Sequence, residues 1–351
     1  MRRSARVLGT AVALAVLLGA CSSQGTDRAA GAGRAAAEVA GHSVDRDGAR
    51  DRAQPDGGPR RSRGCDAPLT DPAELERAEL SVHGVVRDYL VSTPGGDEPL
   101  PLVVDLHGVL EGPEVHAEHT ALGELGRREG FVTVVPRGRG DPVSWDVGHG
   151  DDNDDVDYVE AVIERVSARR CIDESRIYAT GLSNGAMLVS ILACDRPGRF
   201  AAVAPVAGLL PPEGCESERA VPILATHGTA DPIVGFNGGA GGLDGVLEGS
   251  TSSTPPPDLD GDGHPAALAA WAEHHNCDPS PTDERVAPSV LHRTYRCPRG
   301  ADVESYFVEG GGHAWPGSEF GRAIESVTGP VTDEIDWNQL AWEFFRHHRL
   351  P

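Results

Sequence analysis

From about residue 79 onward, short apolar runs alternate with amphipathic stretches. Apolar runs of about four to eight residues bounded by turn residues predict buried strands, and apolar positions every three or four residues predict helices. The alternation is typical of an α/β fold, in which a mostly parallel sheet carries helices on both faces. We expect eight strands, at residues 79–82, 85–92, 102–106, 131–135, 176–180, 201–206, 221–226 and 304–308. We expect helices at residues 116–128, 154–169, 184–195, 265–275 and 333–347.

The N-terminal segment has the pattern of an export signal. Three arginines among the first six residues precede an apolar run, residues 7–18, which is too short to span a membrane. The run ends in Leu-Gly-Ala-Cys, which resembles the lipobox of bacterial lipoproteins. We therefore assign residues 1–21 to a lipoprotein signal peptide and expect Cys21 to be lipidated. An ordinary signal peptide with a chance cysteine is the alternative.

Residues 22–64 contain mainly Ala, Gly, Arg and Asp, with almost no large apolar side chain. Such a segment cannot bury enough apolar surface to offset the entropy of ordering, so it predicts a disordered tether. Residues 65–351 are then a single folded domain, anchored by the lipid to the outer face of the bacterial membrane or secreted.

Composition excludes several chemistries. All 31 basic residues are Arg, so the lysine of a P-loop, of a kinase, of a pyridoxal Schiff base or of a Ser-x-x-Lys enzyme is missing. The net charge of -23 disfavours nucleic acid as a partner.

Six cysteines remain after Cys21, and an even number in an exported protein suggests three disulfides. Of the 15 possible pairings, we expect the two local bridges and, by elimination, the third: Cys194–Cys215, Cys277–Cys297 and Cys65–Cys171. No two of these cysteines have metal-ligand spacing, so no metal is expected.

The segment Gly181–Gly185 has the form G-x-S-x-G, with Ser183 at its centre. The motif alone is weak in a glycine-rich chain, but a predicted strand leads into it and a predicted helix leads out. That is the setting of a nucleophile elbow, where a serine sits on a sharp turn between strand and helix. Ser183 is therefore the predicted nucleophile.

A serine nucleophile needs a histidine to take its proton and an acid to orient that histidine. Asp231 follows the predicted strand 221–226, and His313 follows the predicted strand 304–308 in a glycine-rich loop. The chain order Ser, Asp, His is that of the α/β hydrolases. We therefore predict a triad of Ser183, Asp231 and His313.

Two backbone donors are needed for the oxyanion. We assign the N–H of Asn184, which follows the nucleophile, and the N–H of Val109, with Leu110 as the nearest alternative. His107 is expected to shape the turn before Val109. Leu110, Trp145 and Trp315 are candidates for the substrate-binding wall, although a packing role for Trp315 is an equal alternative.

These motifs resemble the esterase/poly(3-hydroxybutyrate) depolymerase family, which is similar to the feruloyl and acetylxylan esterases of carbohydrate esterase family 1. The resemblance is carried by five segments: His107-Gly108, 181–185, 201–208, 227–231 and 310–317. It implies an α/β-hydrolase fold, no cofactor and the triad given above. The chain departs from the family in having Val-Leu-Glu-Gly after His107-Gly108, and in an enlarged loop at residues 238–263.

The segment Asp258–Gly263 matches the first half of a calcium-binding EF-hand loop. Ala269 occupies the position where a bidentate Glu would close the ligand shell, so a solvated acidic loop is expected instead.

Together these features predict that residues 65–351 are the catalytic domain of an exported serine esterase that hydrolyses short-chain or hydroxyalkanoate-type carboxylic esters through an acyl-enzyme. Because a membrane anchor keeps an enzyme away from insoluble polymer, we expect small soluble esters to be preferred to polymer. Three alternatives remain open: a feruloyl or acetyl esterase acting on polysaccharide, an acyltransferase to a cell-envelope sugar, and a non-catalytic binding module, which the complete triad disfavours.

Overall fold

The structure is a computed structural model that describes residues 58–67, 71–150, 152–217, 219–239 and 256–351. The predicted signal peptide, Cys21 and most of the predicted tether lie outside these residues. No helix within the described ranges has the length and apolar character needed to cross a membrane.

Ten strands of the described chain form one sheet in the order β1-β2-β4-β3-β5-β6-β7-β10-β9-β8. Six neighbouring strands, from β4 to β10 in that order, run parallel, and the outer strands pair antiparallel. Their bounds are β1 Ala73–Val82, β2 Val85–Thr93, β3 Leu100–Leu106, β4 Val132–Pro136, β5 Ile172–Leu182, β6 Ala202–Val206, β7 Ile223–Gly228, β8 Thr282–Ala287, β9 Val290–Thr294 and β10 Val303–Val308.

The prediction of eight strands is wrong, because it misses β8 and β9, which form a hairpin at one edge of the sheet. Five of the six residues of β8 are exposed, and its sequence Thr-Asp-Glu-Arg-Val-Ala has little apolar character. An edge strand whose side chains face water lacks the apolar run that identifies a buried strand. Its position in the sheet comes from pairing with β9, which is not visible in local sequence.

Eight α-helices of the described chain connect or flank the strands. They are α1 Gly112–Thr120, α2 Leu122–Glu129, α3 Asp154–Ser167, α4 Asn184–Asp195, α5 His264–His274, α6 Glu319–Ala323, α7 Glu325–Thr328 and α8 Trp337–Arg346. The single helix predicted at residues 116–128 is two helices, because Ala121 adopts a left-handed conformation (φ 50°) between them.

Alternate residues of the central strands enter two separate cores. Val104 of β3 packs in the core that contains the apolar faces of α3, α4 and α5, whereas its neighbour Val103 packs in the core under α2 and α8. Because successive side chains of a strand point to opposite faces of the sheet, the two cores lie on opposite faces. The predicted α/β class, with helices on both faces, is confirmed.

The folded domain begins before residue 65, where it was predicted to start. The backbone N–H of Arg60 donates to the Asp173 carboxylate (2.9 Å), and the N–H of Ser62 donates to the Ile172 carbonyl (2.9 Å). Residues 58–64 are therefore not part of a free tether, since β5 supplies the partners for their polar backbone.

The six cysteines of the described chain form the three disulfides expected from the sequence: Cys65–Cys171, Cys194–Cys215 and Cys277–Cys297. The first attaches the N-terminal segment to the start of β5, and the second joins the end of α4 to the loop after β6. The third joins the end of α5 to the segment after β9.

Candidate active site

Ser183 lies on a strained turn between β5 and α4. Its backbone has φ 58° and ψ −122°, a conformation that non-glycine residues rarely adopt. The turn is fixed by a hydrogen bond from the Ser183 N–H to the Val206 carbonyl (2.9 Å) and by one from Met187 N–H to the Ser183 carbonyl (2.9 Å). The predicted strand–turn–helix setting of this serine is therefore present.

The glycines on either side of Ser183, Gly181 in β5 and Gly185 in α4, let the elbow approach β3 closely. A Cβ atom at Gly181 would lie 2.7 Å from the Leu106 carbonyl oxygen, and a Cβ at Gly185 would collide with the same oxygen. Side chains at these positions would push the elbow away from β3. The loop after β3, which carries the predicted oxyanion donor, is thereby held beside Ser183.

The loop after β7 and the loop after β10 bring Asp231 and His313 together. Nδ1 of His313 donates to Oδ2 of Asp231 at 2.7 Å, and both side chains are buried. This bond places the ring proton on Nδ1 and leaves Nε2 as the basic nitrogen. Among the hydrogen bonds of the described residues, none joins the Ser183 hydroxyl to His313, as is frequent before a substrate is bound.

The position of all three residues follows from the sheet. The strands β5, β6, β7 and β10 are adjacent and parallel, so their carboxyl ends lie at one edge. Ser183, Asp231 and His313 follow three of these strands. The backbone N–H of Ala230 donates to the Gly311 carbonyl (2.9 Å), which joins the acid loop to the histidine loop.

His227 is a second histidine bound to Asp231, and sequence reasoning did not identify it. Its Nε2 lies 3.2 Å from Asp231 Oδ2, the oxygen that also accepts from His313, and 2.8 Å from the Val234 carbonyl. The other carboxylate oxygen accepts from the backbone N–H groups of Ile233 and Val234. The signal that could have found His227 is its spacing of four residues from the acid.

These donors determine the charge of Asp231. Burial would raise the pKa of its carboxyl, but the hydrogen bonds from His227 and His313 outweigh burial and hold the pKa well below its ordinary value. The acid is therefore ionised at neutral pH and can stabilise a protonated His313.

The two predicted oxyanion donors lie beside the elbow. The N–H of Asn184 belongs to the first turn of α4, where backbone N–H groups have no partner within the helix. A Cβ placed on Gly108 would lie 3.6 Å from that of Ser183, so the segment leading to Val109 lies against the nucleophile. No acceptor for the Val109 N–H occurs among the described residues, whereas the alternative donor, Leu110 N–H, is bound to the Val143 carbonyl (3.1 Å).

Trp145 is buried beside the elbow. It is 4 % exposed, which argues against its predicted place on the substrate-binding wall. Its backbone N–H donates to Oδ1 of Asn184 (2.7 Å), and its indole N–H donates to the His107 carbonyl (2.8 Å). His107 uses both ring nitrogens for the backbone of Gly108 and Gly138. Burial lowers the pKa of His107 to about 4, so this histidine is a neutral structural residue, as expected.

Trp315 is also not a wall residue. It is 1 % exposed, and its indole N–H donates to the Asn338 side chain (3.0 Å) in the core under α8. Its role is to pack the histidine loop against the C-terminal helix. Leu110, in contrast, is 56 % exposed in the loop of residues 107–111, which carries the predicted oxyanion donor and is called the oxyanion loop below, and it remains a candidate for substrate contact.

A buried charged network holds the oxyanion loop. Oε2 of Glu111 accepts from the Gly108 N–H (3.0 Å) and from Nδ1 of His116 (2.9 Å). Nε2 of His116 donates to Oδ1 of Asp105 (2.8 Å). Since both of its ring nitrogens face carboxylates, His116 must carry both protons and a positive charge. His119 adds a further bond to Oε1 of Glu111 (2.6 Å).

The pKa shifts follow from this network. Burial would lower the pKa of His116, but Asp105 and Glu111 outweigh burial and raise the pKa to about 10. Burial would raise the pKa of Glu111, but the hydrogen bonds from His116 and His119 hold it well below its ordinary value. At neutral pH Glu111 is therefore ionised and His116 is positively charged.

A cavity of about 600 Å³ lies beside the elbow. Its lining includes Met187 on α4, Gly208 after β6, His227 at the end of β7 and His264 at the start of α5. This volume is in the range of small-molecule sites.

The acidic loop after residue 257 is tied to the protein by its own contacts. Asp260 pairs with Arg293 (3.0 Å), and the Asn237 side chain bonds the backbone of Asp258 and Asp262. Within the described chain, one group of side chains has metal-ligand spacing, namely His149, Cys194 and Asp195, and its cysteine is in a disulfide. The acidic loop does not form such a group.

The sequence and the structure of this chain are both similar to those of known esterases. A family model described as Esterase PHB depolymerase matches residues 88–240. The putative esterase NocK of Nocardia uniformis subsp. tsuyamanensis is 31% identical over 281 residues, which cover 72% of this chain and 77% of that protein. Feruloyl esterase B of Piromyces equi is 26% identical over 76% of this chain, which spans 46% of the length of that relative.

Among solved structures, the acetyl xylan esterase from Aspergillus awamori matches 78% of this chain and 99% of its own, with a TM-score of 0.52 and 14% identity. At that identity the match shows the fold, which is that of the α/β-hydrolase esterases.

Proposed function

Because the chain belongs to the Esterase PHB depolymerase family, we propose that it is an exported serine esterase that hydrolyses a neutral carboxylic ester through an acyl-enzyme. The observation that carries the proposal is the 2.7 Å bond between His313 and Asp231, at the sheet edge where Ser183 occupies a strained elbow. Among the serines of the described chain, Ser183 is the one with a positive φ.

The proposed reaction begins when the Ser183 hydroxyl attacks the carbonyl carbon of the ester. Nε2 of His313 accepts the hydroxyl proton, and the ionised Asp231 stabilises the resulting imidazolium. The negative charge that develops on the carbonyl oxygen is bound by the N–H groups of Asn184 and Val109. His313 then protonates the leaving alcohol, which leaves the acyl group on Ser183.

Water completes the cycle. His313 Nε2 takes a proton from a water molecule, whose oxygen attacks the acyl carbonyl and forms a second tetrahedral intermediate. The intermediate collapses to the free acid and Ser183, which recovers its proton from His313.

Candidate acyl groups are suggested by the names of similar proteins. The relatives named feruloyl and acetylxylan esterases make acylated polysaccharide a candidate substrate beside short-chain and hydroxyalkanoate esters. Transfer to a sugar acceptor uses the same acyl-enzyme, so assays with and without acceptor sugars distinguish transfer from hydrolysis.

Export and anchoring are further parts of the proposal. Three disulfides are typical of proteins that fold outside the reducing cytoplasm. If Cys21 carries a lipid, then Cys21→Ser should move the protein from the membrane fraction of a bacterial host to the soluble fraction. Equal membrane retention of both forms would contradict lipidation.

The triad is tested by substitution and labelling. Ser183→Ala should abolish p-nitrophenyl acetate hydrolysis, and Asp231→Asn should lower kcat by about 10⁴-fold, as in other triads. Asp258→Asn, a change of the same chemistry in the acidic loop, is the matched control and should leave activity nearly unchanged. A fluorophosphonate probe should add its mass to the peptide that contains Ser183. Near wild-type turnover by Ser183→Ala would reject the assignment.

A further inference from the structure

Many of the arginines lie at the edge of the sheet opposite the active site. Three helices end shortly before a parallel strand begins: α2 before β4, α3 before β5 and α4 before β6. The carboxyl ends of these helices therefore lie at the amino ends of the strands, whereas Ser183, Asp231 and His313 follow carboxyl ends. Arginines occupy the last turn of such a helix or the residues that follow it: Arg127, Arg128, Arg165, Arg169, Arg196 and Arg199.

Carboxylates occupy the opposite ends of the helices. Asp154, Asp155 and Asp157 are in the first turn of α3, and Glu114 is in the first turn of α1. The helix dipole favours anions in the first turn and cations in the last. Because these helices run back along the strands that they connect, the preference separates the charges. Carboxylates collect at the active-site edge, and arginines collect at the amino edge.

A basic patch lies at this amino edge, where α3 ends and β5 begins. The Ser62 hydroxyl donates to the Arg170 carbonyl (3.0 Å), and a Cβ at Gly64 would collide with the same carbonyl. The segment around Ser62 therefore lies against the residues that follow α3. The basic patch consists of Arg61, Arg63, Arg165, Arg169 and Arg170, of which Arg61, Arg63 and Arg169 are exposed.

Most of the positive charge of the basic patch is not neutralised by the described residues. Arg170 pairs with Glu76, whereas the other four arginines of the patch have no carboxylate partner in this part of the chain. The buried Asp173 nearby is already bound by Arg176 and Arg349. In a protein with a net charge of -23, such a surface is complementary to an anionic partner outside the chain.

The chain itself indicates which anionic partner is present. Arg61 and Arg63 follow the part of the predicted tether that precedes the described residues, and the proposed lipid at Cys21 would hold this end of the domain near a membrane. Tethering raises the local concentration of headgroups around the patch, so a weak attraction is sufficient. Each arginine close to an anionic lipid surface strengthens binding about fivefold.

We propose that the basic patch docks on anionic phospholipid headgroups of the membrane that carries the anchor, and that the docked domain turns its active site away from this membrane. The patch lies at the start of β5 and Ser183 at its end, about 33 Å away along the 11 residues of the strand. The Debye length is about 8 Å at physiological ionic strength, so carboxylates at the active-site edge do not cancel the attraction at the patch. This inference rests on the export and anchoring proposed above.

The test uses the full chain with Cys21→Ser, so that no lipid on Cys21 holds it on vesicles. Vesicles of phosphatidylcholine alone, or with an equal part of phosphatidylglycerol, are sedimented with the chain at an ionic strength of about 0.15 M. Phosphatidylglycerol should raise the partition coefficient at least about 50-fold. Adding Arg61→Gln, Arg63→Gln and Arg169→Gln together should lower it at least about 20-fold, because each arginine contributes about fivefold.

The matched control removes the same number of charges from other exposed arginines. Arg139→Gln, Arg285→Gln and Arg322→Gln change the loop after β4, strand β8 and helix α6. The partition coefficient of this triple variant should be unchanged. Thermal unfolding by circular dichroism shows that both triple variants are folded. Equal losses in the two variants, or equal binding to both kinds of vesicle, would overturn the proposal.

Two further measurements identify the partner and the orientation. If the patch variant loses binding to soluble polyphosphate but keeps its binding to vesicles, the patch belongs to a polyanionic polymer and the membrane proposal is wrong. Hydrolysis of p-nitrophenyl acetate should be unchanged when vesicles bind the chain. A clear fall in kcat/KM would place the active site against the membrane and overturn the orientation.

The outcomes also separate docking from the earlier proposals. If Cys21→Ser releases the chain from the membrane fraction of cells but phosphatidylglycerol does not attract it, docking fails while anchoring stands. If no ester is hydrolysed, the esterase proposal fails, and sedimentation still decides whether the basic patch binds anionic lipid.

Discussion

Replacing Glu111 tests whether the buried network positions the oxyanion loop. We consider Glu111→Gln, which keeps the shape of the side chain and removes its charge. The carboxylate accepts from the Gly108 N–H, from His116 and from His119. An amide keeps one oxygen acceptor and replaces the other with an NH2 donor, so at least one imidazole N–H loses its acceptor.

The magnitude follows from burial and charge. His116 is fully buried and would keep Asp105 as its single carboxylate partner. Breaking one partner of a buried charged pair costs about 3–5 kcal/mol, and the retained amide oxygen lowers this, so we expect a loss of about 3 kcal/mol in the free energy of unfolding. Complete loss of an oxyanion donor lowers kcat by about 10²–10³-fold. A displaced Val109 N–H should therefore lower kcat about 10- to 100-fold, with KM changing less than threefold or so.

Urea unfolding measures the first effect, and steady-state hydrolysis of p-nitrophenyl acetate, well below the melting temperature, measures the second. Glu118→Gln is the matched control, because Glu118 is exposed on helix α1, which begins directly after Glu111. It should change neither quantity. The reasoning is refuted if Glu111→Gln unfolds within about 1 kcal/mol of wild type and keeps its kcat, or if only KM rises.

Three further outcomes are expected. The charge on His116 makes the free energy of unfolding depend on pH, because the pKa of His116 is about 10 in the folded protein and 6.5 ordinarily. The stabilisation by this charge is complete below pH 6.5 and is lost as the pH rises to 10. Between these values the free energy of unfolding falls by about 1.4 kcal/mol per pH unit. The melting temperature should thus fall less steeply over this range in His116→Gln, and parallel curves would contradict the charge assignment. The full chain should hydrolyse p-nitrophenyl butyrate well and clear a suspension of poly(3-hydroxybutyrate) poorly, and the reverse order would show a polymer-degrading enzyme. Peptide mapping without reduction should link Cys194 to Cys215, whereas a link from Cys194 to Cys277 would exclude the disulfide scheme.

The candidate triad could be proposed from the sequence because its signals are local. Each member follows a strand with its own apolar pattern, and strand ends converge at one edge of a parallel sheet. Ser183 also lies between glycines, and His313 lies in a glycine-rich loop. The order Ser, Asp, His along the chain then places the acid after the predicted strand at residues 221–226, where Asp231 lies.

The supporting contacts could not be predicted because they join segments that the sequence keeps apart. Trp145 reaches Asn184 across 39 positions, and Trp315 reaches Asn338 across 23. A tryptophan near a catalytic residue in sequence can face the substrate or the core, and only packing decides which. The β8 strand was missed for a related reason, since its pairing partner and not its own composition places it in the sheet.

The departure of the oxyanion loop from its family has a physical account in this network. The segment after His107 offers three consecutive N–H groups, and two of them have partners: Gly108 N–H bonds Glu111, and Leu110 N–H bonds the Val143 carbonyl. Val109 N–H is the one without an acceptor among the described residues. Glu111 and the Val143 carbonyl thus occupy the N–H groups on the two sides of Val109. Glu111 accepts from the Gly108 N–H as a carboxylate, because the hydrogen bonds from His116 and His119 outweigh burial and hold its pKa well below its ordinary value.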